Sequence, residues 1–252
     1  MGVKIRYLAQ SGFEFTDPDG TRIVVDPFLY GDEAHGIPPS PVTVPELAGA
    51  DVVLCSHGAW DHIAEAFEIV NAGNARLACG SEVGEHAKRT AGLTDDRIDT
   101  MVSGTFLEVG GVRIKAYHAH HVSRINSNGV YITGEPMSYV LRFSTGEKIY
   151  FAGDTSLTYD IKLIGEMQKP DVAIVGIGGV RRNGRYIVEM EPIEATYAVE
   201  WVGARLAIPM HWVPGTGADE EFRRALAERL PHVRLKQLEY GETLELSREL
   251  VG

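Results

Sequence analysis

The chain has 252 residues, of which 44% are hydrophobic and 23% charged, and this composition is typical of a globular protein with a sizeable core. Its formal net charge of −11 disfavours non-specific nucleic-acid binding, which depends on lysine and arginine contacts to phosphate. The same charge disfavours docking on anionic lipid. We therefore expect neither a nucleic acid nor a membrane as a partner.

Cysteine usage and the N-terminal segment indicate the compartment. Cys55 and Cys79 do not form a C-x-x-C pair, so we expect two buried thiols in a reducing compartment. No apolar run is long enough to span a bilayer. The segment from Met1 starts directly on a strand-like pattern, without the apolar core of a signal peptide. We predict a cytoplasmic protein.

The first half of the chain opens with a hairpin and continues with strand–helix alternation. Its apolar and alternating runs predict strands at 3–8, 12–16, 21–25, 51–55 and 76–79. Its helical spacings predict helices at 45–47, 61–71 and 82–91. The glycine- and proline-rich residues 31–45 predict a long loop.

The second half repeats this order from about residue 105. Its predicted strands lie at 105–109, 112–118, 130–132, 138–144, 148–152, 172–176, 206–210, 233–237 and 243–246. Its predicted helices lie at 159–167, 192–202 and 220–230. No linker separates the halves, so we expect one domain over 1–252. Two mixed sheets packed face to face, with helices outside, are the simplest architecture for it.

Histidine and aspartate side chains follow several predicted strands, at or just beyond the point where each strand ends. They are His57, Asp61, His62, His121, Asp154 and His211. Because strands that share a direction end at one edge of a sheet, we expect these side chains to meet there. Imidazole and carboxylate are the donors of zinc, manganese and iron sites, and four histidines with two aspartates suit a two-metal site.

Six stretches of the chain resemble the metallo-β-lactamase superfamily, whose signature is H-x-H-x-D-H followed by a histidine, an aspartate and a final histidine. They are Lys4–Ser11, the Asp-Pro-Phe-Leu segment in Ile23–Leu29, Phe151–Thr155, Asp160–Gly165, Met190–Ala195 and Ile208–His211. The chain is most similar to uncharacterised metal-dependent hydrolases that neighbour the L-ascorbate-6-phosphate lactonases. The resemblance covers nearly the whole chain and implies an α/β fold of the αββα sandwich type.

The resemblance also implies a role for each site residue. His57 and His121 belong to a first metal site, whereas Asp61, His62 and His211 belong to a second. Asp154 bridges the two. A metal-bound hydroxide would attack the substrate, with Asp61 orienting it and passing a proton to the leaving group. Zinc is the expected metal, and manganese and iron are alternatives.

Two positions depart from the family pattern. Ala59 stands where the second histidine of H-x-H-x-D-H belongs, so the first site lacks a nitrogen donor. We therefore expect one tightly held metal in the second site and a weak first site. Trp60 either fills the space of the missing imidazole or packs as an ordinary residue at a helix start. Gln10 replaces a histidine of the opening turn, and we expect it to lie near the site and alter substrate contacts.

The segment from Tyr117 to Ser123 contains three histidines, and strand parity separates them. His121 aligns with the family ligand, whereas His118 and His120 fall on the opposite face. We expect these two to be exposed. The alternative is that one of them bends in to replace the missing ligand.

Two further groups of charged residues, one acidic and one basic, can be explained either by a structural role or by a functional one. Glu191 and Glu194 are expected to be first-turn acids of a helix. Arg181, Arg182 and Arg185 form a basic cluster that is either solvated or an anion clamp at the mouth of the site, because guanidinium suits phosphate and carboxylate.

We therefore predict a metal-dependent hydrolase that acts on a small ester, lactone or phosphodiester, either neutral or anionic. Its partner is a small-molecule substrate, and a homo-oligomer stays compatible with the sequence. The alternative is a degenerate, non-catalytic member of the family that binds a ligand or partner, since Ala59 breaks the motif. A nucleic-acid-processing member is disfavoured by the net charge of −11.

Overall fold

The structure is a computed structural model that describes residues 2–178, 181–182, 185–186, 189–247 and 250, with only the backbone described at 181–182 and 185–186. The first part of the chain contains strands β1 (Lys4–Ala9), β2 (Gly12–Thr16), β3 (Arg22–Val25), β4 (Val52–Leu54), β5 (Arg76–Cys79) and β6 (Ile98–Thr100). Its helices are α1 (Val44–Leu47), α2 (Trp60–Ile63), α3 (Ala66–Ala72) and α4 (Ser81–Ala91).

The second part contains more strands than the sequence predicts. They are β7 (Phe106–Val109), β8 (Val112–His118), β9 (Ser123–Ser127), β10 (Val130–Gly134), β11 (Met137–Arg142), β12 (Lys148–Phe151), β13 (Val172–Gly176), β14 (Arg181–Arg182), β15 (Arg185–Tyr186), β16 (Leu206–Met210), β17 (Arg234–Leu235) and β18 (Thr243–Glu245). Its helices are α5 (Tyr159–Gln168), α6 (Pro192–Val202) and α7 (Ala218–Arg229). Within the described ranges, every helix is too short or too polar to cross a lipid bilayer.

Two seven-stranded mixed sheets form the centre of the described fold. The first has the order β18-β1-β2-β3-β4-β5-β6, and the second has the order β17-β16-β13-β12-β11-β8-β7. Each sheet has an antiparallel part built from hairpins and a parallel part. The parallel part runs from β3 to β6 in the first sheet and through β12, β13, β16 and β17 in the second. The carboxyl ends of the parallel strands therefore share one edge of each sheet, which is where sheet–helix folds favour ligand sites.

The two sheets pack face to face through aromatic side chains. Phe13 of β2 meets Phe151 of β12 edge-on at 6.1 Å between ring centroids, and Phe15 meets Phe143 at the same separation. On the outer face of the first sheet, Val53 of β4 belongs to a buried cluster that includes residues of α3 and α4. Helices α5, α6 and α7 bury their apolar residues against the second sheet. The predicted αββα sandwich is confirmed.

The structure differs from the prediction in a few elements. The helix predicted over 61–71 is two helices, α2 and α3, because Glu65 at the junction turns its buried carboxylate to accept the backbone N–H of Leu29. Strand β9 was not predicted. Two of its three buried positions are the serines Ser123 and Ser127, so the strand lacks the alternating apolar pattern. Strand β18 pairs with β1, so the last strand returns to the first sheet.

Candidate metal centre

The ends of the strands bring the six predicted residues to one edge of the sandwich. His57 follows β4, Asp154 follows β12, and His211 directly follows β16. His121 lies three residues beyond β8, which has the same direction as β12 because each is antiparallel to β11. Asp61 and His62 lie in α2, the short helix that begins just after His57.

Asp154 is the hub of this cluster. Its Oδ2 atom lies within 3.8 Å of the Nε2 atoms of all four histidines: 3.2 Å from His62, 3.5 Å from His211, and 3.8 Å from both His57 and His121. Its side chain is 4% exposed. One buried carboxylate oxygen thus faces four imidazole nitrogens, as the bridging position implied by the family resemblance requires.

Asp61 completes the cluster on the side of the second site. Its Oδ2 atom lies 3.2 Å from Nε2 of His211 and 3.8 Å from Nε2 of His62. The donor atoms of Asp61, His62 and His211 lie within 4.8 Å of one another, as do those of His57, His121 and Asp154. The two groups coincide with the second and first sites assigned from the sequence.

The outward-facing nitrogens of two of these histidines are held by hydrogen bonds. Nδ1 of His62 lies 2.8 Å from Oδ2 of Asp26, and Nδ1 of His57 lies 3.0 Å from Oγ of Ser56. Asp26 in turn accepts the backbone N–H and the hydroxyl of Ser56. Such outer partners fix the ring orientation and leave Nε2 free for an ion. The sequence signal for Asp26 was its place at the end of β3, but its contact with His62 was not predicted.

Several of the donor atoms that face the centre of the cluster are buried and, within the described part of the chain, have no hydrogen-bond partner. They include Nε2 of His57, Nε2 of His62 and Oδ1 of Asp154. Leaving a buried polar atom unpaired costs about 1–3 kcal/mol, and more when the atom is charged. Several such atoms converging on one point are a donor set that fits a divalent ion.

The charges of the cluster shift the pKa values of its members strongly. Burial lowers the pKa of His57 to about 3. Burial also acts to lower the pKa of His211, but the carboxylates of Asp154 and Glu189 outweigh it and raise that pKa to about 10. Burial acts to raise the pKa of Asp154, yet the imidazoles of His211 and His62 hold it well below its usual range. The Asp154 carboxylate therefore stays ionised, which is the form that binds metal.

A cavity of about 250 Å³ opens onto this cluster. The wall on its polar side includes Asp61, His121, Asp154 and His211, and Gln10 reaches it from the first hairpin, as predicted. Gln10 is 1% exposed and accepts the backbone N–H of His211, so it is built into the site. His35 and Ile37 also line the cavity and were not predicted.

Ala59 and Trp60 both line this cavity. The side chain of Trp60 is 53% exposed, and its ring packs edge-on against Phe28 at 5.3 Å and tilted against His35 at 6.0 Å. A residue that filled the place of an imidazole donor would be buried beside His57, so the filling hypothesis for Trp60 is not supported. Its ring instead forms a wall at the mouth of the cavity.

His118 and His120 turn away from the cavity, as strand parity predicts. Their side chains are 43% and 44% exposed. Nε2 of His120 lies 3.1 Å from Oδ2 of Asp160, and the two imidazoles contact each other edge-on at 4.7 Å. Neither takes the place of the missing ligand.

The remaining charged candidates separate into two groups. Glu191 and Glu194 cap helix α6, since the backbone N–H of Glu191 donates to Oε2 of Glu194, so their structural interpretation holds. The side chains of Arg181, Arg182 and Arg185 lie outside the described residues.

Glu189 is a cavity residue that sequence reasoning missed. Its side chain is 1% exposed, and its Oε2 atom lies 3.5 Å from Nδ1 of His211. Burial and the neighbouring Asp154 carboxylate raise the pKa of Glu189 well above its usual range. It stands immediately before the Met-Glu-Pro motif and directly after the short apolar run at 186–188, a signal of the kind that marked the other site residues but was not applied to it.

Comparison with known proteins agrees with this fold. Residues 21–212 match the model of the beta-lactamase superfamily domain. A UPF0173 metal-dependent hydrolase of Rubrobacter xylanophilus is 32% identical over 96% of this chain and 96% of its own length. A second one, from Methanopyrus kandleri, is 35% identical over 96% of this chain and all of its own length.

A solved structure shows the same fold. Igni18, a metallo hydrolase from the hyperthermophilic archaeon Ignicoccus hospitalis, superposes with a TM-score of 0.77 at 24% identity, over 98% of this chain and 99% of the other. Because the family model and both relatives match most of its length, this chain belongs to the beta-lactamase superfamily and, within it, to the UPF0173 metal-dependent hydrolases.

Proposed function

We propose that this protein hydrolyses a small ester, lactone or phosphodiester with a divalent metal held by the six clustered residues. The observation that carries the proposal is the position of Asp154, whose buried Oδ2 atom faces four imidazole nitrogens at 3.2–3.8 Å. A bound divalent ion brings the pKa of its water toward neutrality and so supplies a nucleophile at physiological pH. Zinc is the metal we propose, with manganese and iron as alternatives that the same donors accept.

The two metal sites are unequal. Asp61, His62, Asp154 and His211 provide four donors to the second site. His57 and His121 share Asp154 in the first site, where Ala59 has no donor to offer. We propose one tightly held ion in the second site and a weak first site, since even the loss of an outer partner costs about 10–100-fold in metal affinity or activity.

Asp61 is the residue we propose for proton transfer. Its side chain lines the cavity and is hydrogen-bonded at 3.2 Å to Nε2 of His211. Burial acts to raise the pKa of Asp61, but His62 and His211 outweigh it, so that the carboxylate stays ionised. An ionised carboxylate there orients an attacking water and accepts its proton.

The dimensions of the cavity favour a small substrate. Its volume is about 250 Å³, just below the range of about 300–1,000 Å³ that is usual for ligand pockets. The exposed face of Trp60 and the side chain of Ile37 offer an apolar surface for the non-reacting part of the substrate. We retain Arg181 and Arg182 as proposed contacts for an anionic substituent, and the sequence alone supports them. A cytoplasmic location, a single domain, and a homo-oligomeric state stay predictions.

The test is turnover by metal-loaded protein on a panel of esters, lactones and phosphodiesters. We expect hydrolysis of at least one class, abolished by a chelator and restored by metal. Asp61→Asn should lower kcat about 10²–10⁴-fold, whereas Asp95→Asn, at a side chain that is 89% exposed, should leave kcat unchanged. Metal-loaded protein without turnover on all three classes would overturn the proposal and favour a non-catalytic binding role.

A further inference from the structure

Glu189 is a buried carboxylate that makes no hydrogen bond within the described part of the chain. Its side chain is 1% exposed, and neither Oε1 nor Oε2 has a hydrogen-bond partner among the described residues. Burying an ionised carboxylate without compensation is costly, so such groups are paired, hydrogen-bonded or bound to a metal. Glu189 lines the same cavity as Asp61, Asp154 and His211.

Comparison with Asp26 separates an outer partner from a donor. Asp26 sits 2.8 Å from Nδ1 of His62 and also accepts two hydrogen bonds from Ser56, so all of its contacts are ordinary hydrogen bonds. Glu189 lies 3.5 Å from Nδ1 of His211, which is beyond a normal hydrogen bond, and that nitrogen is also unpartnered. The long contact with Nδ1 of His211 is thus not a formed hydrogen bond, and both carboxylate oxygens of Glu189 stay available to an ion.

The spacing of Glu189 from its neighbours matches that of donors to one ion. The donor atoms of Asp154, Glu189 and His211 all lie within 4.8 Å of one another. Donors that bind one ion at about 2.0–2.2 Å stand roughly 3–4 Å apart. The same relation holds between Asp61, His62 and His211, the residues proposed for the second site.

The backbone at Glu189 adds a second observation. Its φ is 41°, in the left-handed region that residues with side chains rarely adopt. Gln10, Asp26 and His211 share this conformation, with φ of 49°, 44° and 58°. Backbone strain of this kind costs about 1–3 kcal/mol per residue and is concentrated at functional sites. Glu189 therefore belongs to the constrained frame of the cluster.

We infer that Glu189 is a ligand of the second metal site, an assignment that rests on the metal centre of the proposed function. The second site then has three carboxylates, from Asp61, Asp154 and Glu189, and the two imidazoles of His62 and His211. The first site then lacks the nitrogen donor that Ala59 cannot supply, and the second site gains an oxygen donor from Glu189. An oxygen-rich set favours Mn²⁺ more than a nitrogen-rich set does.

The test compares metal affinities of the wild-type protein and Glu189→Gln by chelator competition, with Mn²⁺ and with Zn²⁺ as probes. Gln preserves the volume and removes the charge. We expect Glu189→Gln to bind Mn²⁺ at least about 10-fold more weakly, with a smaller loss for Zn²⁺. The matched control Glu166→Gln, at an exposed position of α5, should bind both ions as the wild type does.

The outcomes separate this inference from the proposed function. Unchanged Mn²⁺ affinity in Glu189→Gln overturns the inference and leaves the proposed metal centre standing. Wild-type protein that binds neither ion overturns the metal centre as well. Because losing an outer partner of His211 also weakens metal binding, a crystal structure of the Zn²⁺-loaded wild type completes the test: we expect a Glu189 oxygen at about 2.0–2.2 Å from the ion, and a separation beyond about 3 Å overturns the inference.

Discussion

The carboxylate of Asp26 lies 2.8 Å from Nδ1 of His62, and both side chains are fully buried. This contact links the end of β3 to helix α2 and turns Nε2 of His62 toward Asp154. A carboxylate on the outer nitrogen of a histidine fixes its tautomer and increases its basicity toward metal. The metal affinity of the second site should therefore depend on a residue that never touches the ion.

Asp26→Asn should weaken metal binding without removing a ligand. Asparagine has the same size and tolerates the left-handed backbone of position 26, where φ is 44°. We expect a loss of about 10–100-fold in metal affinity, measured by chelator competition. Asp17→Asn is the control, because Asp17 is also a buried turn aspartate, hydrogen-bonded to Ser144. Wild-type affinity in Asp26→Asn would show that this contact does not tune the site.

Much of the fold could be predicted because its signals are local. Strand β8 alternates buried and more exposed residues, and strand β13 is buried throughout, as expected for parallel strands covered on both faces. Strand β9 could not be predicted, because buried Ser123 and Ser127 carry no apolar signal. The return of β18 to pair with β1 is a long-range contact with no local signature.

The site also contains residues that could be predicted from the sequence and residues that could not. His57, Asp154 and His211 stand at strand ends, so topology alone brings them together. Glu189 could not be predicted, because its position depends on a left-handed backbone and on a tertiary approach to His211. The orientation of Trp60 was also undetermined, since packing against Phe28 and His35 decides it.

Gly153→Ala should destabilise the fold at the turn that presents Asp154. Gly153 has a φ of 58°, and an added Cβ would lie 2.8 Å from the carbonyl oxygen of Met137 and 3.1 Å from Cβ of Ser56. The left-handed backbone alone costs a residue with a side chain about 1–2 kcal/mol, and the close contacts add to that cost.

The control for this prediction is Gly129→Ala, in the turn between β9 and β10. Gly129 has a φ of 84°, but nothing lies within 4 Å of its added Cβ. Chemical denaturation should show a larger loss in the free energy of unfolding for Gly153→Ala than for Gly129→Ala. Equal losses would mean that the contacts with Met137 and Ser56 relax at no cost.

Both cysteines should be inert to thiol reagents in the folded protein. Cys55 and Cys79 are 0% exposed. Burial and the nearby Asp26 carboxylate raise the pKa of Cys55, and burial and Glu82 raise the pKa of Cys79. Because the thiolate is the reactive form, we expect no reaction with a disulfide reagent at about pH 8 until denaturant is added, when both thiols react. Rapid modification of the native protein would show that the edge near β4 and β5 opens readily.

Ala59→His should restore the donor that the first metal site lacks. Ala59 lines the cavity at the start of α2, next to the donor group of His57, His121 and Asp154. We expect one tightly bound ion per wild-type chain and up to two in Ala59→His, measured by elemental analysis after dialysis against a weak chelator. Ala59→Ser, which adds a small polar group without an imidazole, should leave the metal content at one. Two tightly bound ions in the wild type would contradict the proposed weak first site, and an unchanged content in Ala59→His would show that the missing imidazole does not limit binding there.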